Sequence, residues 1–141
     1  KTISNQYNNK RKHIFEGTEL LPEFESLEVV KAVQTIAGEK DERFKDWFEA
    51  LNWMYEEAMN RDFNIAIIGC GAYGFPLASM LKRSGKQAIH MGGATQLFFG
   101  IKGKRWDEMP QINKWYNDAW VRPREDEQPQ KKNLVEEGCY W

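Results

Sequence analysis

Gly69, Gly71 and Gly74 have the spacing G-x-G-x-x-G and stand directly after the apolar run Ile65-Ala66-Ile67-Ile68. Such glycines suit phosphate binding. The first permits a tight turn, the second lets the backbone approach a phosphate, and the third lets the next helix pack closely on the strand. Pro76 falls in the first turn of that helix, where a missing N–H costs little. Leu77, Ala78, Met80 and Leu81 carry the helix onward, and its unpaired N–H groups and dipole attract an anion. Tyr73, inside the turn, joins the candidate ligand contacts. The same glycines would equally serve a bare strand-to-helix turn with no ligand. Cys70 has no histidine beside it and reads as a small apolar turn residue, not a nucleophile.

A second group follows the strand expected over 87–91. A nicotinamide enzyme needs an Asp or Glu at the end of this strand, roughly 20 residues after the glycines, to hold the ribose hydroxyls. The residue there is His90, and Gly92-Gly93-Ala94-Thr95-Gln96 beyond it carries no basic patch for a 2′-phosphate. Both features count against NAD and NADP. Gly92 and Gly93 form a second glycine turn at a strand's carboxyl end, the edge where open α/β sheets bind ligands. Thr95 and Gln96 can donate to a sugar or base. His90 can donate to phosphate, act as a base, or be satisfied by a backbone partner. Lys102, Lys104 and Arg105, capped by Trp106, form either a local anion site or a solvated turn. Arg122, held between Val121 and Pro123, can present a rigid fork.

The elements that must position these residues follow from hydrophobic spacing. Phe44, Trp47, Phe48, Leu51, Met54, Tyr55 and Met59 recur at three- and four-residue steps and predict a packing helix over 41–61. Leu27, Val30, Ala32, Val33 and Ile36 predict a shorter helix over 24–37, stopped by Gly38. Residues 1–22 read as a helix with a poor start, closed by Gly17 and Pro22. Ile112, Trp115, Tyr116 and Trp120 predict one more short helix, 124–132 an extended surface segment, and the aromatic end Tyr140-Trp141 a terminus docked on the body. The apolar run 63–68 lacks strict alternation, as in a parallel strand covered on both faces. The expected fold is α/β: a Rossmann-like parallel sheet, small or incomplete, flanked by helices. The expected division is a helical segment packing on the sheet (1–62), a nucleotide-binding core (63–123) and a C-terminal segment (124–141).

Composition excludes several alternatives. A chain of 141 residues supports about one core. With 41% hydrophobic and 29% charged residues it has a globular balance, and its net charge of −1 gives no global pull toward nucleic acid. Cys70 and Cys139 make neither a disulfide framework nor a metal spacing, and no apolar run is long enough for a membrane span. A cytoplasmic setting is expected, and the first residue, Lys1, suggests a folded part of a longer protein.

Taken together, Asp62-Phe63-Asn64-Ile65-Ala66-Ile67-Ile68-Gly69-Cys70-Gly71-Ala72-Tyr73-Gly74, the stretch from Lys86 to Gln96, Gly103-Lys104-Arg105-Trp106 and Gly138-Cys139-Tyr140-Trp141 resemble the C-terminal half of a group of bacterial proteins encoded among polysaccharide-biosynthesis genes. More distantly, the paired glycine turns resemble the C-terminal region of GT-D type glycosyltransferases. That resemblance implies a Rossmann-like sheet that binds a sugar nucleotide diphosphate. In those enzymes an acidic Asp-x-Glu motif for metal and diphosphate belongs to the N-terminal half, and no such motif stands out here. The implied role is therefore part of a donor or acceptor cleft. No cofactor is held by this chain alone, a divalent metal is expected only if an N-terminal half supplies its ligands, and no catalytic residue is assigned. The alternatives are an NAD(P)-binding oxidoreductase-like domain and a non-catalytic Rossmann-like interaction module.

Overall fold

The computed structural model describes residues 1–35, 38–129, 131–134 and 138. Two compact units make up the chain: Val30–Thr95, and Lys1–Val29 together with Gln96–Trp141. These limits fall at 29/30 and 95/96. The first helix packs on residues near 100 and 120.

In the unit Val30–Thr95 the long helix, α2 (Trp47–Met59), begins six residues later than the start expected at 41. Asp41 is drawn into a turn with Arg43, accepting from its Nε at 2.9 Å and its Nη2 at 2.6 Å. Asp46 then caps the helix by accepting the Glu49 N–H at 2.9 Å, while the Glu49 carboxylate reaches back to the Lys45 N–H at 2.7 Å. Reciprocal caps of this kind fix a helix start more firmly than hydrophobic spacing does. β1 (Ile65–Ile68) leads through a single 3-10 turn (Gly71–Tyr73) into α3 (Gly74–Arg83), and β2 (Gln87–His90) returns parallel to β1. The result is a small, incomplete two-stranded parallel sheet with helices on it.

The register pairs Ile65 with Gln87, Ala66 with Ala88, Ile67 with Ile89 and Ile68 with His90. Strand side chains alternate between faces, so Ala66, Ile68 and Ala88 share one face and pack with Leu51, Met54, Tyr73, Leu77 and Leu81. The opposite face carries Ile65, Ile67 and Ile89, and Ile65 and Ile89 are each 50% exposed. Coverage by helices on both faces is therefore not what this unit provides. It contains one crossover helix, α3, and the chain leaves the unit soon after β2.

Residues 24–35 form no helix. Val29, Val30, Val33 and Thr35 are β-branched, which weakens a helix. The apolar residues also serve two cores, Phe24 and Leu27 one and Ala32 and Val33 the other. Ile36 and Ala37, the end of that expected helix, lie outside the described residues, as does the docking expected of Tyr140 and Trp141.

The other unit is built on α1 (Thr2–Ile14). Ile14 joins Leu21, Phe99, Ile101, Ala119 and Trp120 in a second core. Ile101 and Val121 form a parallel bridge, with Lys102 N–H donating to Val121 O at 2.7 Å. Gln6 is fully buried beside it and donates Nε2 to both Gly100 O at 3.1 Å and Ala119 O at 2.8 Å. Gly100 has φ +66°, and a Cβ there would lie 2.8 Å from Ile14 Cγ2. α4 (Ala94–Phe98) brings the chain back to this unit. α5 (Pro110–Asn113) is one turn long and does not run on to Trp120. Asn117 interrupts it, donating Nδ2 to His13 O at 3.0 Å and accepting the Ala119 N–H at 2.8 Å. The segment after Pro123 is not simply extended, since Glu125–Glu127 form a 3-10 turn. Among the described residues no helix is long and apolar enough to cross a membrane.

Candidate functional site

At the carboxyl ends of β1 and β2 the two glycine turns meet on one atom, the carbonyl oxygen of Ile68. It accepts the N–H of Met91 at 3.0 Å and of Gly92 at 3.3 Å, and the Thr95 hydroxyl stands 3.4 Å away. His90 Nδ1 is 3.3 Å from the same oxygen. A carbonyl can only accept, so in this contact the imidazole donates from Nδ1.

The three spaced glycines hold separate positions in this arrangement. A Cβ on Gly69 would lie 2.5 Å from Thr95 Oγ1 and 2.8 Å from Gly92 O, so the first glycine lets the second turn close on the first. At Gly74 a Cβ would overlap Cε1 and Nδ1 of His90, so the third makes room for the imidazole and not for strand backbone. Gly71 differs from both: its φ is +55° and nothing lies within 4 Å of its Cβ position. Among the described residues the N–H groups of Gly71 and Ala72 meet no backbone acceptor, whereas Tyr73 N–H is already bonded to Cys70 O at 3.2 Å. The open part of the motif is thus Gly71-Ala72, at the entrance to α3. Gly92 also has positive φ, +55°, and Gly93 follows it on the way into α4.

Tyr73 takes another role. It is 6% exposed and its ring stacks on Trp47 with centroids 4.9 Å apart and planes 7° from parallel. The start of α2 thereby holds the glycine turn from behind. Cys70 is half-buried, and burial pushes its thiol up to about 11, far from the range of a nucleophilic cysteine. A surface recess of about 600 Å³ in the same unit is lined by Arg43, Phe44, Phe48, Glu49 and Trp53 among others, and by no residue of either glycine turn.

No protein-family model, curated protein or solved structure matches the chain. Its function has to be read from its own residues.

Gly69, Gly71, Gly74, His90, Gly92, Gly93 and Thr95 belong to the unit Val30–Thr95, while Gln96, Lys102, Lys104, Arg105 and Arg122 belong to the other. There the cations are arranged as follows. Lys102 Nζ lies over the Tyr116 ring, 5.1 Å from its centroid, and the Arg105 guanidinium lies over Trp106 at 5.9 Å. Lys104 opens the 3-10 turn Lys104–Trp106, in which Trp106 is buried. The Arg122 fork is part-exposed and paired, Nη2 donating to Asp107 Oδ2 at 2.7 Å. Among the described residues no three His, Cys, Asp or Glu side chains gather in a way that could hold a metal ion.

Two features of the site were not evident from spacing. The Trp47–Tyr73 stack joins residues 26 apart, and only the aromatic excess in 44–55 hints at it. The convergence on Ile68 O depends on β-strand register, which no single residue type announces.

Proposed function

We propose that the turn between β1 and α3 binds the diphosphate of a sugar nucleotide, so that the chain serves as a donor-binding part of a glycosyltransferase-like protein. The observation that carries this reading is Gly71: a left-handed residue with open space around it, beside backbone N–H groups without backbone acceptors, at the start of a ten-residue helix. Such a start favours phosphate oxygens through its N–H groups and its dipole together. The likeness to GT-D transferases names the ligand class, and His90 in place of a ribose-binding acid makes NAD the weaker choice. The proposed role for this chain is holding the donor.

Calorimetric titration with UDP-glucose, UDP and NAD, together with amide hydrogen exchange, tests this. Heat with the two uridine nucleotides, none with NAD, and slowed exchange at Gly71 and Ala72 are expected. Gly71→Ala should weaken binding about tenfold or more, the loss expected when hydrogen bonds to a charged group are misaligned. Absence of heat with both uridine nucleotides, with unchanged exchange, would leave the turn as a purely structural connection or as part of a non-catalytic interaction module.

A further inference from the structure

Among the described residues β1 has a neighbouring strand on one side only. In a parallel ladder the residues of a strand alternate, one turning both its N–H and its C=O toward the neighbour and the next turning both away. Gln87 N–H donates to Asn64 O at 3.2 Å and Met91 N–H to Ile68 O at 3.0 Å, and Ala66 stands opposite Ala88 between them. Asn64, Ala66 and Ile68 are thus engaged by β2. Ile65 and Ile67 turn their N–H and C=O groups outward, where no hydrogen-bond partner meets them among the described residues. The same two side chains form the open face of the sheet with Ile89, and Ile65 and Ile89 are each half-exposed. Folded proteins protect such an edge with a charge, a proline or a bulge. β1 has an unbroken register and the sequence Ile-Ala-Ile-Ile, and no charged side chain occurs anywhere in 63–81.

We propose that the free edge of β1 pairs with β1 of a second copy of this chain, antiparallel about a two-fold axis at Ala66. In that register Ile65 stands opposite Ile67 of the second copy, and Ile67 opposite Ile65. Each pair exchanges two N–H···O bonds, so every outward donor and acceptor of the strand finds its counterpart on an identical strand. The isoleucines become β-branched cross-strand neighbours, which favours the pairing. Charge permits it as well: the edge is uncharged and the net charge of −1 gives two copies little repulsion. The outer edge of β2 is more polar, with Gln87 and His90 at its ends and Lys86 before it. Head-to-tail pairing of β1 on β2 would not close, whereas the two-fold arrangement does. A strand of four residues is small beside the roughly 1,200–2,000 Å² of a stable interface, so the dimer forms at high concentration and dissociates on dilution. It does not depend on nucleotide binding at the glycine turn.

Sedimentation velocity and amide hydrogen exchange on the intact chain, from micromolar to near-millimolar protein, test this. Mass should rise toward two copies and no further. Exchange at Ile65 and Ile67 should slow in step with it, while Ala88 and His90, which face the outer side of β2, keep their rates. Ile65→Lys puts a charge on the edge at a half-exposed position; it should keep exchange at Leu77 and Leu81 unchanged and leave the chain monomeric throughout. Ile89→Lys, on the same face but one strand away from the edge, should leave the dimer in place. A monomer at every concentration overturns the proposal. A dimer without slowed exchange at Ile65 and Ile67, or one that survives Ile65→Lys, also overturns it. Loss of the dimer in Ile89→Lys would move the contact to the open face, and growth beyond two copies with slowing at Ala88 and His90 would show head-to-tail pairing; either rejects the two-fold edge.

Discussion

At the scale of single residues, the three motif glycines make distinguishable predictions. An alanine methyl at Gly74 would collide with a side chain, the His90 imidazole, whereas one at Gly69 would collide with Gly92 backbone as well as with Thr95. Overfilling of this kind costs about 1–3 kcal/mol. Gly74→Ala should therefore be costly alone and mostly relieved in a His90→Ala background, while Gly69→Ala should stay costly beside Thr95→Ala, whose Cβ remains in place. Denaturant melts of the four combinations read this directly as a coupling energy. Equal relief at both positions would mean that the Gly92 carbonyl does not constrain Gly69. The motif itself was legible in the sequence because glycine leaves an unmistakable spacing. The partners filling the space beside Gly69 and Gly74 were not legible, since they depend on which residue of β2 lies opposite Ile68.

Among the elements, α1 shows how a weak helix is completed from elsewhere. Its N-cap position is Lys1, which offers no side-chain cap. The missing acceptor comes from Glu127, which takes the Thr2 N–H at 3.2 Å, the Thr2 hydroxyl and the amino group of Lys1. Burial alone would raise the Glu127 carboxyl, but the Thr2 hydroxyl, the Lys1 amino group and the Thr2 N–H outweigh it and hold it below its ordinary value of 4.5. A depressed carboxyl contributes fully above its unfolded value and loses that contribution as pH falls through the folded one. Unit stability should hence decline as pH drops below about 4.5, and Glu127→Gln should remove part of that slope and about 1 kcal/mol at neutral pH. Thermal melts followed by far-ultraviolet circular dichroism between neutral pH and pH 3 check both; an unchanged slope in the variant would exclude Glu127 as the cap. The sequence showed that α1 starts poorly, but its cap lies 125 residues away and no local pattern points to it. The reverse holds for 24–35, where a helical stripe was visible and two cores claimed its residues instead.

For the whole molecule, the central fact is two hydrophobic cores and not one. Gly100→Ala would press a methyl on buried Ile14 at a left-handed position, which costs both packing and backbone strain. It should speed amide exchange at Ile14, Ile101 and Val121 while leaving Leu77 and Leu81 at wild-type protection, measured by hydrogen exchange on the intact chain. Uniform acceleration would show that the cores open together. Length and composition pointed to a single core because they count apolar residues without recording which ones meet. The unit Val30–Thr95 is continuous in the chain, whereas the other is assembled from two stretches that flank it. Gln6 and its acceptor Ala119 are separated by 113 residues. On a ribosome adding about 5–20 residues per second, the buried face of α1 waits roughly 6–23 s for the carbonyls that Gln6 will bind. Throughout that interval the nascent chain carries Ile14 without its core. The glycine-turn unit can close first, so α1 is synthesised before that unit and finished after it, and a chaperone has the whole interval in which to meet it.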